Sequence, residues 1–377
     1  MVVSLLLTNI AIWLYVTWRF VARLPAGRAW RIALALVLLP LAEYYLLAGA
    51  LFGSMATIEL PRWAMIALGW AFGAFLLLAM LLLVRDIVGL LVLAMARTRG
   101  RVLLGHRGLT VGLGVAAALL ATWGTWQAVR VPAVKTVDVE VPGLPAAFDG
   151  YRIVQLSDLH ASRLLPATWQ RAVVARSNGL HPDLIVITGD LQDGRPDVRI
   201  RQIRPLRGLH ARDGVLAVPG NHEYYTDYRG WMRVFRRLGL HMLENDHVLI
   251  RRDHATLAIA GITDRQARRF GDAPPDLDAA LAGIPATVPV ILLSHRPDNA
   301  RASARAGVRL QLSGHTHGGQ ILGPDRITRW VNKGFLSGLY RIGPMQLYVS
   351  NGTGLWNGLA IRLGRRSEIT QLVLHRP

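Results

Sequence analysis

Five short motifs hold side chains able to do metal chemistry: Asp158-Leu159-His160, Gly189-Asp190 with Asp193 close behind, Gly220-Asn221-His222-Glu223, a single His295, and Gly314-His315-Thr316-His317-Gly318-Gly319-Gln320. Asp, His and Asn supply oxygen and nitrogen donors without sulfur, a set suited to divalent Mn, Fe, Zn, Ni or Co. In an extended segment residues i and i+2 point the same way, so Asp158 and His160 are expected to share one metal. His315 and His317 repeat that spacing, but on a glycine-flanked turn they can serve two neighbouring metals, with Gly314, Gly318 and Gly319 letting the backbone bend closely. Taken singly, each motif has a plainer reading as a solvated turn, a helix cap or a surface histidine. What argues for one joint site is their placement.

Each motif follows an apolar, strand-like run. YRIVQLS leads into Asp158, DLIVIT into Asp190, GVLAVP into Asn221, PVILLS into His295, and VRLQLS into His315. Helix-like segments lie between them, around Ala167–Ser177, Arg199–Leu209, Tyr228–Leu238, Leu277–Leu281 and Asn299–Ala306. The alternating VKTVDVEV after Val131 reads as a first strand. Alternation of strands and helices predicts an α/β fold, in which ligands collect beyond the carboxyl ends of the strands. All five motifs fall there.

The 377 residues are 52% hydrophobic and 18% charged, with a mean hydropathy of +0.30 and no cysteine. That excludes a disordered polyelectrolyte, a disulfide scaffold, a thiolate nucleophile and a Cys-ligated zinc. The net charge of +19 is uneven: residues 1–130 carry 11 Arg and three acids (Glu43, Glu59, Asp86), and the remainder 32 Lys and Arg against 21 acids. Four apolar stretches have the roughly 20 residues that a bilayer crossing requires: Val2–Tyr15 continuing to Phe20, Ile32–Phe52, Trp63–Val84 and Leu109–Ala128. Trp13, Trp18, Trp30, Trp63, Trp123 and Trp126 fall mostly near their ends, where amphipathic rings prefer to sit. Residues 1–130 are therefore expected to be a transmembrane anchor and 131–377 the catalytic domain. Arg19, Arg23, Arg28 and Arg31 crowd the first connection, and Arg85, Arg97, Arg99, Arg101 and Arg107 the third. The positive-inside rule puts both in the cytoplasm, and everything after the fourth span on the periplasmic or extracellular side of the plasma membrane. Ile87–Met95 is too short to span and reads as an interfacial extension of the third helix. Glu43, in LAEYYLL, is expected to face the bundle interior, protonated or paired with a tyrosine or the backbone.

The order D-x-H, G-D-x-x-D, G-N-H-E, H, G-H-x-H resembles that of the calcineurin-like metallophosphoesterases, over roughly Val137–His375. The forms SDLH and GHTHGGQ, with the tail NGTG…IRL…EI…L, look like the bacterial membrane-associated branch. The resemblance implies a β-sandwich flanked by helices. It also implies that Asp158, His160, Asp190 and His317 bind a first divalent ion, with Asp190 bridging to a second held by Asn221, His295 and His315. By the same resemblance His222 is a catalytic histidine near the leaving group, oriented by Asp193. Protein serine/threonine phosphatases of this superfamily carry Arg directly after that second Asp; here it is Gly194, with Arg195 one position later, which leans away from phosphoprotein substrates.

The expected activity is hydrolysis of a phosphomonoester, phosphodiester or pyrophosphate by a hydroxide that two divalent ions activate, with His222 as general acid. The expected partners are plasma-membrane lipids and a phosphorylated small molecule or lipid, without nucleic acid, since aromatic and basic residues are not interleaved. A cytosol-facing pyrophosphatase of a nucleotide-linked lipid precursor is the alternative enzyme. A non-catalytic membrane sensor or transporter component with a relic domain is the alternative of another class, against which the full ligand set counts. The apolar FLSGLY, Phe335–Tyr340, is expected to line the substrate entrance or dip toward lipid.

Overall fold

A computed structural model describes residues 2–377, and its contacts divide the chain into two units: one of residues 1–126 with Gly358–Ile361, the other of residues 127–357 and 362–377. The first is helical: α1 (Val2–Arg19), α2 (Arg28–Ala42), α3 (Tyr44–Phe52), α4 (Arg62–Met95), α5 (Arg97–Gly105) and α6 (Arg107–Val129), whose last turn enters the second unit. Among the described residues three helices are long and apolar enough to cross a membrane, four if α2 and α3 count as one span. Those two meet at a 59° bend. Pro40, near the end of α2, removes an amide donor and crowds the preceding turn, so the apolar run breaks at Glu43. Glu43 accepts a hydrogen bond from Asn9 Nδ2 at 3.1 Å, a partner in α1 rather than a tyrosine or the backbone. Helix α4 runs unbroken through Ile87–Met95; its 34 residues extend about 51 Å, well beyond a bilayer core of about 30 Å. Asp86 in α4 accepts from Tyr15 (2.8 Å) and Arg19 of α1 and from Arg85 (2.7 Å), tying the two helices by a polar knot.

The second unit holds twelve strands: β1 (Ala133–Glu140), β2 (Arg152–Leu156), β3 (Leu184–Thr188), β4 (Val215–Val218), β5 (His241–Met242), β6 (Asp246–Arg252), β7 (Ala255–Gly261), β8 (Val290–Leu293), β9 (Leu310–Ser313), β10 (Gly338–Ile342), β11 (Met345–Val349) and β12 (Glu368–His375). They form two six-stranded mixed sheets, β1-β12-β2-β3-β4-β5 and β10-β11-β9-β8-β7-β6. The centres, β2-β3-β4 and β7-β8-β9-β11, are parallel; β6 and β10 run antiparallel at the edges of the second sheet. Strands covered on both faces need continuous apolar sequence, and LIVIT of β3 is buried at every position. The inner faces pack together through Ile153, Val186 and Leu372 from the first sheet and Ile259, Ile291 and Leu312 from the second. The outer face of the second sheet packs Ala258, Leu292 and Leu347 against Ala280, Ala300 and Phe335. Phe335 and Leu336 are thus buried core residues, not an exposed apolar lip. The sandwich directs the carboxyl ends of both parallel centres to one edge, where the motifs lie.

Candidate metal centre

The first candidate side chain of each motif sits two or three residues past a strand: Asp158 after β2, Asp190 after β3, Asn221 after β4, His295 after β8, His315 after β9. The extended alternation expected for Asp158 and His160 is not what brings them together. Asp158 (φ 53°), His160 (φ 40°), Asp190 (φ 53°), His315 (φ 68°) and His317 (φ 49°) all adopt left-handed backbone, which ordinary residues avoid. Such strain persists only where surrounding structure enforces it, and it concentrates at functional sites. Two close approaches explain the glycines beside them. A Cβ on Gly220 would lie 2.2 Å from Asp190 Oδ1, and one on Gly314 1.9 Å from Ser157 Oγ and 2.3 Å from Asp158 Oδ2.

The loops bring all nine sequence-predicted residues together. Two donor groups form: Asp158, His160 and His317, and Asp190, His295 and His315, each with its ligand atoms within 4.8 Å of one another. His317 Nε2 lies 3.5 Å from Asp158 Oδ1. Asp190 Oδ2 stands between the groups, 3.7 Å from His160 Nε2 and 3.2 Å from His295 Nε2. Asn221 Oδ1 is 3.1 Å from His295 Nε2, and His315 Nδ1 is 3.2 Å from the same nitrogen. A third grouping, His160, Asp193 and His222, is held by hydrogen bonds rather than arranged around a centre.

The outer bonds fix the tautomers. Asp193 Oδ1 accepts from His160 Nδ1 at 2.9 Å and from His222 Nδ1 at 2.7 Å, while its Oδ2 accepts the Asn357 amide at 3.0 Å. An ionised carboxylate only accepts, so both Nδ1 atoms carry protons and the His160 Nε2 lone pair faces inward. His295 Nδ1 donates to Thr188 O at 2.8 Å, with the same result. His160 Nε2 is buried without a hydrogen-bond partner. A buried lone pair without a donor, flanked by carboxylates, fits a cation. The His/Asp clusters fit a dinuclear metal centre.

His222 is placed differently. Its side chain is 12% exposed, and its Nε2 lies 4.0 Å from Asp190 Oδ2. Burial alone lowers its pKa, but the Asp190 and Asp193 carboxylates outweigh that and raise it to about 9.

Three supports have no counterpart in the sequence reading. Glu223, buried, accepts the amides of Asp190 (3.1 Å), Leu191 (2.8 Å) and Gly220 (2.7 Å), clamping the β3 and β4 loops together. Arg362, also buried, donates to the carbonyls of His317, Asn351 and Gly354 at 2.7–3.0 Å. Arg296 donates to Asp264 and points its fork at Asn221 and His315. A signal existed for the last pair: Arg296 follows His295 directly, and Asp264 ends the run ATLAIAGITD as the other acids end theirs. Arg195 is exposed and pairs with Asp197 at 3.2 Å.

The family profile described as calcineurin-like phosphoesterase matches residues 151–319. The zebrafish (Danio rerio) transmembrane protein with metallophosphoesterase domain is 33% identical over 381 residues, covering 96% of this chain and 86% of that one. Its namesake from Bos taurus is 38% identical over 68% of this chain and 60% of its own length. An uncharacterized metallophosphoesterase of Campylobacter jejuni is 34% identical over 66% of this chain and 64% of that one. This chain belongs to the calcineurin-like metallophosphoesterases. Its enzyme class is accordingly that of a phosphoester hydrolase, and the apolar helices agree with the transmembrane description of its vertebrate relatives.

Proposed function

We propose that this metallophosphoesterase is a multi-pass plasma-membrane enzyme that hydrolyses a phosphomonoester, phosphodiester or pyrophosphate. The substrate is a phosphorylated lipid or small molecule met at the membrane, and the catalytic domain lies on the periplasmic or extracellular side. The observation that carries the reading is the placement of Asp190 Oδ2 between imidazoles of opposite sheets, 3.7 Å from His160 and 3.2 Å from His295. Asp158, His160, Asp190 and His317 would hold one divalent ion, and Asp190, Asn221, His295 and His315 the other. When bound, two such ions supply Lewis acidity toward phosphoryl oxygens and a water acidified to a pKa of about 7.

The residues do the rest. Two carboxylates, Asp158 and Asp190, offset only half of the two ions' charge, and the neutral Asn221 leaves the centre attractive to a phosphate anion. His222, whose charged form the Asp193 carboxylate favours, gives a proton from Nε2 to the departing oxygen. Asp193 holds that ring through Nδ1 and stabilises its charge, so the proton donor is aimed before substrate arrives. The arginine distribution around the apolar helices supports the outward orientation. Gly194 after Asp193, and the exposed Arg195 paired with Asp197, favour a substrate other than phosphoprotein.

The test uses the full chain in detergent, reconstituted with Mn, Fe, Zn, Ni or Co and assayed on aryl phosphate mono- and diesters and on lipid phosphates. Metal-dependent turnover is expected. A protein that binds metal but hydrolyses none of these overturns the reading.

A further inference from the structure

We propose that Arg296 binds the phosphoryl oxygens of the substrate, positioned for that task by Asp264. The inference rests on the phosphoesterase reading and names a residue outside the ligand set. Asp264 lies three residues past β7, and its side chain is fully buried. Its Oδ1 accepts the Gln266 amide at 2.8 Å and its Oδ2 accepts Arg296 Nε at 2.7 Å. The guanidinium is therefore anchored at its stem, and its side chain is only 12% exposed. The two Nη groups project into the centre, Nη2 3.0 Å from Asn221 Oδ1 and Nη1 2.6 Å from His315 Nε2.

His315 cannot be a partner of the fork in the working enzyme. A neutral imidazole has one lone pair. The Nδ1 of His315 is the nitrogen facing His295 Nε2, at 3.2 Å. If Nδ1 serves as a metal ligand, Nε2 carries the proton, and a protonated nitrogen offers nothing to Arg296. Asn221 Oδ1 has a second lone pair, so it can accept from Nη2 even as a ligand. Arginine remains charged at every physiological pH, so Nη1 and the second Nη2 proton call for an anion at the mouth of the centre. The oxygens of a phosphoryl group match the fork in charge and in planar, two-pronged geometry. Asp264 offsets the buried guanidinium charge, so the pair adds direction rather than net charge. Other arginines are committed elsewhere: Arg362 to three carbonyls, Arg195 to Asp197 at the surface.

The test is titration calorimetry of metal-loaded full-length protein with inorganic phosphate, alongside metal content per chain, for wild type, R296Q, R296K and D264N. R296Q should keep two ions per chain and bind phosphate about 10- to 100-fold more weakly, the scale of a lost charge-assisted hydrogen bond. R296K should recover part of the affinity, and D264N should weaken phosphate binding less than R296Q does, without loss of metal. Unchanged phosphate affinity in a metal-replete R296Q overturns the proposal. So does loss of metal in both R296Q and R296K, which would make the residue a support for its neighbours. Turnover of an aryl phosphate by wild type, measured separately, decides the hydrolytic reading: a chain that binds phosphate through Arg296 yet cleaves no ester overturns that reading alone.

Discussion

A single oxygen, Asp193 Oδ1, holds two imidazoles with different duties: His160, whose Nε2 faces the metal donors, and His222, whose side chain reaches solvent. The two roles separate by mutation. D193N leaves the shape but removes the charge that fixes both tautomers; about a 10- to 100-fold fall in metal affinity or activity is expected, measured by metal titration and kcat. H222A should keep both ions and lower kcat by about 10²- to 10⁴-fold, the usual contribution of a positioned acid. That loss should be greatest for poor leaving groups, which need the proton most. An equal loss across a series of aryl leaving groups would remove His222 from the acid role.

At the scale of elements, parallel strands aim the loops and the loops absorb the strain. Five candidate ligand residues adopt left-handed backbone, and Gly220 and Gly314 leave room for the carboxylates beside them. G314A puts a methyl group 2.3 Å from Asp158 Oδ2; a stability loss of about 1–3 kcal/mol and an emptied first metal position are expected, read as a lower Tm and reduced metal content. Wild-type values for both would contradict this packing. The strands β3, β4 and β8 were legible because a strand buried on both faces must be a nearly continuous apolar run, and β2 and β9, interrupted only by the buried Gln155 and Gln311, because each also ends in a polar motif. The hairpin β6–β7 was not: DHVLIRR is charged at a sheet edge and ATLAIAG is small, so neither shows a bulky apolar signature. Missing β7 meant missing Asp264. Candidate ligands were legible by type and order, whereas the bonds of Glu223 to the Asp190 loop and of Arg362 to His317 span more than 30 residues, a relation visible only after folding. Asp158 and His160 do fall in one donor group, but through left-handed backbone rather than the extended alternation expected of them.

At the scale of the whole molecule, a helical unit precedes a two-sheet unit, and the number of crossings decides which compartment supplies the substrate. The bend at Glu43 makes that number sensitive: α2 and α3 as one broken span give four crossings, and without them three. Four put the chain after α6 outside, so a compartment-sensitive reporter fused after Pro377 should be active only on the periplasmic or extracellular side. Activity confined to the cytosol would instead favour the nucleotide-linked lipid pyrophosphatase. Either orientation depends on the same centre, and the most direct measurement of that centre is anomalous X-ray diffraction from metal-loaded crystals, collected on both sides of the metal's absorption edge. The account predicts two peaks about 3.5–4 Å apart, flanking Asp190 Oδ2, one beside Asp158, His160 and His317 and the other beside Asn221, His295 and His315. A single peak, or peaks away from Asp190, would contradict it.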